Sequence, residues 1–379
     1  MHGLWNLLLG VPGLRHRRNK ESEALMTDKE FIKGNEALAL GALKAGMNAY
    51  FAYPITPSSE IPETLAKEFG NPKYPEFKVF LQAASELEAI NMVIGAAATG
   101  AKAMTATSGP GFSLKQEGLS YAASMELPFI VVDINRGGPG LGNLGPEQSD
   151  YFQATKGGGH GGYKSIVLAP NSVQEMAAMP GLGFSLAFKY RNPVIIMADA
   201  FLGQLKEDTV YPPIEEERFD IPWATTGARG ETRHVLASLR LDLEEQSKFS
   251  ESLKQKHEQI ARREQRAESY MTDDAEIVLV SFGIVSRLCK YAVNKLRESG
   301  VRVGLYRPIT LCPFPSDGLA ELAAKGVKKF IVVELNTGQM VTDVKLAVED
   351  SKRVELIYRL GGILPTSSEI MNKVETTSV

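Results

Sequence analysis

The chain has 379 residues, 44% apolar and 23% charged, with a formal net charge of −3 at pH 7. That length suits about two ordinary domains, and the near balance of charge gives no electrostatic case for nucleic acid or an anionic membrane as partner. No apolar run approaches the ~20 residues that span a bilayer, and two cysteines with five scattered histidines argue against an iron–sulfur cluster or a metal cage on this chain.

Residues 1–26 differ in character from the rest of the chain. The apolar "LWNLLLGVPGL" precedes the basic "RHRRNK", the reverse of a secretory signal. Glu21 and Glu23 count against an Arg-bearing organellar presequence, and Met26 offers a second start. A disordered extension is expected there.

From about residue 30, helix and strand alternate. "NEALALGALKAG" predicts a helix closed by a glycine, Gly46. "MNAYFAY" reads as a strand and runs into "PITPSSEIPE", where Pro54 and Pro57 bracket Thr56. Proline fixes φ and holds the residue before it extended, so this loop is stiffened where Gly or Asn would suffice for a turn. "FKVFLQA", "KAMTATS", "PFIVVDIN", "SIVLAP" and "PVIIMADA" are further strands, with helices between them. Short, wholly apolar strands alternating with helices predict an α/β fold with a parallel sheet covered on both faces. Ligands of such sheets sit beyond the carboxyl ends of the strands.

Three stretches lie at those ends. In "AASELEAINMV", Ser85 and Glu88 fit a helix N-cap, whereas Glu86 shares the apolar face with Ile90, Val93 and Ala97. A carboxyl there is costly to ionise and is a candidate proton-sharing acid; a first-turn Glu reaching water is the competing reading. "TATSGPGF", residues 105–112, matches neither dinucleotide nor P-loop fingerprints, yet Gly109 and Gly111 let backbone approach a ligand, if this is more than a tight turn. Arg136 directly follows "PFIVVDIN", where a guanidinium suits a carboxylate, although a surface ion pair is the commoner fate. Ten glycines between residues 133 and 163 predict mobile loops that close around something, with Gln148 and His160 as loop contacts.

Residues 211–230 look like a connection, and the charged helix after them carries only a narrow stripe of Phe249, Leu253 and Ile260. A smaller α/β block begins near residue 274, with strands in "EIVLVSFG", "VRVGLYRP", "KKFIVVELN" and "VELIYRL".

Taken in order, "YPITPSSEI", "ASELEAINM", "TSGPGFSLKQEG", "NRGGPG", "QSDYFQATKGGGHGGY" and "RPITLCPFP…VVELNTGQM" resemble the alpha subunit of 2-oxoacid:ferredoxin oxidoreductases across residues 30–370. "FQATKGGGHGGYKSIVLAPNSVQEM" is most similar to the branch acting on 3-methyl-2-oxobutanoate (2-oxoisovalerate), with the 2-oxoglutarate branch close behind. The resemblance implies coenzyme A-dependent oxidative decarboxylation of a 2-oxoacid to acyl-CoA, carbon dioxide and reduced ferredoxin, with thiamine diphosphate as cofactor. It implies a pyrimidine-type thiamine diphosphate domain at 27–215, a linker at 216–272 and a transketolase C-terminal-like domain at 273–379.

By the same resemblance, Glu86 activates the aminopyrimidine, Thr56 and Arg136 bind substrate, and Ser108 and Gly109 contact cofactor. Pro54 and Ser58 belong to the substrate loop. No GDG with a downstream Asn and no cysteine cluster occurs. The magnesium ion, the diphosphate site and a [4Fe–4S] cluster are therefore expected on a beta subunit, with gamma and delta subunits completing a cytoplasmic complex. Pyruvate as substrate, a non-catalytic assembly subunit and a nucleotide-dependent dehydrogenase are the alternatives; the last lacks a phosphate-binding fingerprint.

Overall fold

A computed structural model describes residues 29–211, 219–227 and 233–377. The expected extension at 1–26 and parts of the proline-rich connection lie outside them. In chain order the strands are β1 (Glu30–Lys33), β2 (Ala49–Ala52), β3 (Val79–Gln82), β4 (Ala103–Thr107), β5 (Ile130–Asn135), β6 (Ile166–Leu168), β7 (Val194–Asp199), β8 (Lys206–Thr209), β9 (Ala267–Tyr270), β10 (Ile277–Val280), β11 (Val303–Pro308), β12 (Thr310–Cys312), β13 (Lys329–Glu334) and β14 (Val354–Tyr358).

The first sheet runs β12-β6-β7-β5-β4-β2-β3, and the second runs β14-β13-β10-β11-β9. Both are parallel except for one antiparallel edge strand each, β12 on β6 and β9 on β11. β1 and β8 form a separate antiparallel ribbon. Every residue of β4, β5 and β7 is buried, as their unbroken apolar runs require of strands covered on both faces. The helix Gly34–Lys44 crosses Val173–Tyr190 so closely that a Cβ on Gly41 would lie 2.1 Å from the Ala177 carbonyl oxygen. The charged helix Leu243–Arg263 buries only Ile260, at one end of the stripe read from the sequence.

Two edge strands depart from the expected boundaries. β9 falls inside the range read as linker, and β12 leaves the second block to complete the first sheet. The flanking prolines hid β12, three residues long, whose partner β6 lies far away in sequence. Arg307, one strand earlier, fixes this crossing: it donates twice to Glu175 at 2.9 and 3.0 Å and through Nε to Glu268 at 2.8 Å, with Arg307 and Glu175 wholly buried.

From β2 the chain passes to β3 on one side and then back across to β4 on the other. This reversal opens a crevice at the carboxyl ends of β2 and β4. The second sheet docks on the other half of the same edge. There Gln148 donates to the Phe282 carbonyl at 3.0 Å, and Tyr151 meets Phe282 with ring centroids 5.8 Å apart.

Candidate active site

The loop after β2 is held more firmly than its prolines alone would hold it. The carbonyls of Ile55, Thr56 and Pro57 each accept a side-chain hydrogen bond: from Ser58 Oγ at 2.8 Å, Arg136 Nη1 at 2.7 Å and Asn35 Nδ2 at 2.7 Å. Ser58, buried, is thereby used to close the turn. Pro54 and Thr56 remain exposed, and no described residue hydrogen bonds the Thr56 hydroxyl.

After β3, Ser85 caps the helix Glu86–Ala98 by accepting from Glu88 N at 3.2 Å, while the Glu88 carboxylate reaches back to Ala84 N at 2.9 Å. That cap orients the first turn so that Glu88 faces water and Glu86 is only 6% exposed, on the face with Ile90, Val93 and Ala97. No hydrogen-bond donor among the described residues meets its carboxylate. Against it lies the turn after β4: a Cβ on Gly111 would sit 2.3 Å from Thr107 Oγ1 and 2.5 Å from Glu86 Oε1. Only glycine leaves that room. The hydroxyls of Thr105, Thr107 and Ser108 are buried without partners here, and Gly109 takes φ +37°.

Sequence reasoning missed a neighbour. Lys115 stands at the break between the helices Gly109–Leu114 and Gln116–Met125, wholly buried, with Nζ 3.4 Å from the Glu86 carbonyl oxygen. Burial lowers its pKa to about 8, partly offset by the Glu86 charge. Its signal was present: Phe112, Lys115 and Leu119 share one helical face, so a lysine occupied an apolar position.

After β5, Arg136 also donates through Nη2 to the Leu141 carbonyl at 3.3 Å, and its Nε is buried without a partner. Both terminal nitrogens thus already hold main-chain oxygens, each keeping one hydrogen for a ligand. Asp133 and Asp150 lie beneath, also unremarked in the sequence although an aspartate inside "PFIVVDIN" breaks the run. Burial raises both carboxyls, Asp150 to about 6.

The remaining candidates lie elsewhere. Gln148 is a tie between the two sheets rather than a cleft residue: its amide holds Phe282 O and Leu335 N. His160 is exposed, with its ring edge-on to Tyr121, 6.0 Å between centroids. Two side chains tie the glycine run to the rest of the chain: Asn143 Nδ2 donates to Gly361 O at 3.2 Å and Ser120 Oγ to His160 O at 2.8 Å. Around the cleft, Tyr53, Leu81, Leu87, Leu114, Leu141 and Leu144 are exposed apolar side chains. Among the described residues no group of three or more His, Cys, Asp or Glu is placed to hold a metal ion, and no helix is long and apolar enough to cross a membrane.

Residues 40–273 match the family described as pyruvate flavodoxin/ferredoxin oxidoreductase, thiamine diphosphate-binding, and residues 275–370 match pyruvate:ferredoxin oxidoreductase core domain II. The chain is 51% identical over 346 residues to ketoisovalerate oxidoreductase subunit VorB of Methanothermobacter marburgensis, covering 91% of this chain and 97% of that one. It is 39% identical over 373 residues to 2-oxoglutarate synthase subunit KorA of Methanocaldococcus jannaschii, covering 91% and 99%. Among solved structures it resembles the 2-oxoglutarate:ferredoxin oxidoreductase of Magnetococcus marinus, bound to 2-oxoglutarate, coenzyme A and succinyl-CoA, with a TM-score of 0.82 and 28% identity. That match covers 92% of this chain and 65% of the other.

Proposed function

The chain belongs to the pyruvate flavodoxin/ferredoxin oxidoreductase family as a thiamine diphosphate-binding chain, and on that premise we propose that it is the alpha-type subunit of a complex oxidising 3-methyl-2-oxobutanoate. The products are an acyl-CoA, carbon dioxide and reduced ferredoxin. Identity of 51% to a ketoisovalerate subunit against 39% to a 2-oxoglutarate subunit favours the branched substrate. The 2-oxoglutarate reading stands second, supported by the likeness to the Magnetococcus enzyme.

One observation carries the site assignment. A buried carboxylate with no donor on it, Glu86, shares the crevice between β2 and β4 with a fixed Thr56 that touches Arg136. These residues fit the pyrimidine half of thiamine diphosphate: Glu86 is free to bond a ring nitrogen, the bare Cα of Gly111 gives its carboxylate room, and the unpartnered Ser108 hydroxyl leaves a polar atom beside it. When bound, the cofactor supplies the carbon nucleophile and electron sink for decarboxylation. Glu86 exchanges a proton with the ring in a site that excludes water. Thr56 and Arg136 hold the substrate carboxylate in one orientation. Ser108 and Gly109 line the cofactor, with Pro54 and Ser58 shaping the loop; Gln148 ties that edge to the second sheet, and exposed His160 is left to a loop contact.

We assign residues 27–215, completed by β12, to the pyrimidine-type domain and the rest of 267–379, from β9 onward, to the transketolase C-terminal-like domain, joined by a linker at 216–266. A beta subunit brings the diphosphate site, Mg2+ and a [4Fe–4S] cluster, since Cys289 and Cys312 cannot ligate one. It covers the exposed apolar rim of the cleft, with gamma and delta subunits completing a cytoplasmic assembly that reduces ferredoxin.

The test is the assembled complex with coenzyme A and ferredoxin, assayed on 3-methyl-2-oxobutanoate, 2-oxoglutarate and pyruvate. The branched acid is expected to give the highest kcat/KM. Glu86→Gln, nearly isosteric, is expected to fold and assemble while kcat falls about 10²- to 10⁴-fold. Unchanged turnover would mean a scaffold subunit instead.

A further inference from the structure

Asp133 lies on β5, three residues before Arg136, and is wholly buried. Its Oδ2 accepts from Asn135 Nδ2 at 2.5 Å, and Asn135 Oδ1 in turn accepts from Asp150 N at 3.1 Å. The main-chain N–H of Gly109 lies toward the same carboxyl and favours its charged form, which links it to the turn after β4. The Asp133 and Asp150 carboxyls act directly on each other, Asn135 ties one to the main chain of the other, and Asp133 Oδ1 and Asp150 Oδ2 are buried with no N–H or O–H from any described group. Two ionised carboxylates so placed would repel each other; one proton between them satisfies both orphaned oxygens.

Arg136 completes the cluster. A Cβ placed on Gly109 would lie 3.9 Å from Arg136 Cγ and 4.0 Å from Asp150 Oδ2, so that glycine sits over the seam between guanidinium stem and carboxyl pair. Arg136 and Glu147 are the charged groups acting on Asp150. Glu147 is occupied by Ser149, Gly138 N and Gly361 N, and Asp199 on the adjacent strand is turned to Leu202 N and Ile284 N.

We infer that Asp133 and Asp150 share one proton and, as a pair with a single negative charge, balance and position Arg136 for the carboxylate of the 2-oxoacid. The inference rests on the proposed role of Arg136. Each proton the pair loses sets one more negative charge beneath the guanidinium, where it opposes an incoming carboxylate.

The assembled wild-type enzyme, Asp150→Asn and Asp133→Asn serve as the test. Infrared spectra at neutral pH are expected to show the carbonyl stretch of a buried protonated carboxyl in the wild type and a shift of that band in Asp150→Asn, where burial keeps Asp133 protonated but its charged acceptor is gone. Asp133→Asn is expected to lose the band. KM for 3-methyl-2-oxobutanoate is expected to rise roughly tenfold, the worth of one pKa unit, as pH increases through about 6, where Asp150 gives up its proton. Asp150→Asn is expected to flatten that rise with kcat little changed. Should Asp133→Asn fail to fold because the link to Gly109 is lost, Asp150→Asn alone decides the matter. A wild type without the band, a band at unchanged frequency in Asp150→Asn, or parallel KM profiles would overturn the shared proton. Arg136→Met with unaltered KM would instead overturn the role of Arg136 in substrate binding, and it would do so with the band still present.

Discussion

Arg136 donates through Nη1 to the main-chain carbonyl of Thr56 at 2.7 Å, joining two loops that lie 80 residues apart in sequence. The residue expected to bind a substrate carboxylate is thus also what steadies the threonine beside it. Arg136→Met is expected to raise KM for the 2-oxoacid about a hundredfold, the loss of a charge-assisted hydrogen bond of ~2–3 kcal/mol. Arg136→Lys keeps the charge without the fork and should recover only part of it. Steady-state kinetics on both variants check this.

Gly111→Ala puts a methyl group where Thr107 Oγ1 and Glu86 Oε1 already stand, 2.3 and 2.5 Å from the added carbon. Overpacking of this kind costs about 1–3 kcal/mol. The more telling outcome is functional: Glu86 must turn aside, and affinity for thiamine diphosphate should fall further than folding stability does. Titration of the cofactor alongside thermal unfolding separates the two.

Lys115 gives a pH dependence of definite sign. Its pKa falls from 10.5 in the unfolded chain to about 8 in the fold. The unfolded state therefore binds the extra proton between those values, and stability rises with pH across that window. Lys115→Met, of similar length and without charge, is expected to stabilise the chain by about 3 kcal/mol below pH 8, with the advantage shrinking towards pH 10.5. Urea unfolding of both chains over that range is the check.

Arg307→Leu would leave Glu175 charged and buried without the two hydrogen bonds it now accepts at 2.9 and 3.0 Å. Breaking a buried pair from one side costs about 3–5 kcal/mol. Replacing both residues together, Arg307→Leu with Glu175→Leu, should recover much of that loss, which a double-mutant cycle of unfolding free energies would measure.

The reach of each signal along the chain decided what could be read in advance. The parallel strands were legible because β4, β5 and β7 are unbroken apolar runs, and the cap at Ser85 because its signal spans only three residues. Glu86 announced itself by breaking an apolar helical stripe. Lys115 and Asp133 broke apolar patterns in the same way and passed unremarked, Lys115 because it follows directly on a stretch noticed for its glycines. Gln148 and β12 offered no local signal at all. The partners of Gln148 lie 134 and 187 positions away, and three residues between prolines do not announce an edge strand.

β12 also bears on how the chain can be divided. A fragment ending before residue 275, where the second family match begins, would keep every proposed cofactor contact yet strip the outer flank of β6, whose backbone now pairs at Leu168 and Val167. Bare strand edges recruit other strands, so such a fragment is prone to self-association. Gene fusions, truncations and subunit swaps are best made with the second block kept whole, since a cut after β12 would bare β10 in turn, or with a surrogate strand supplied for β6.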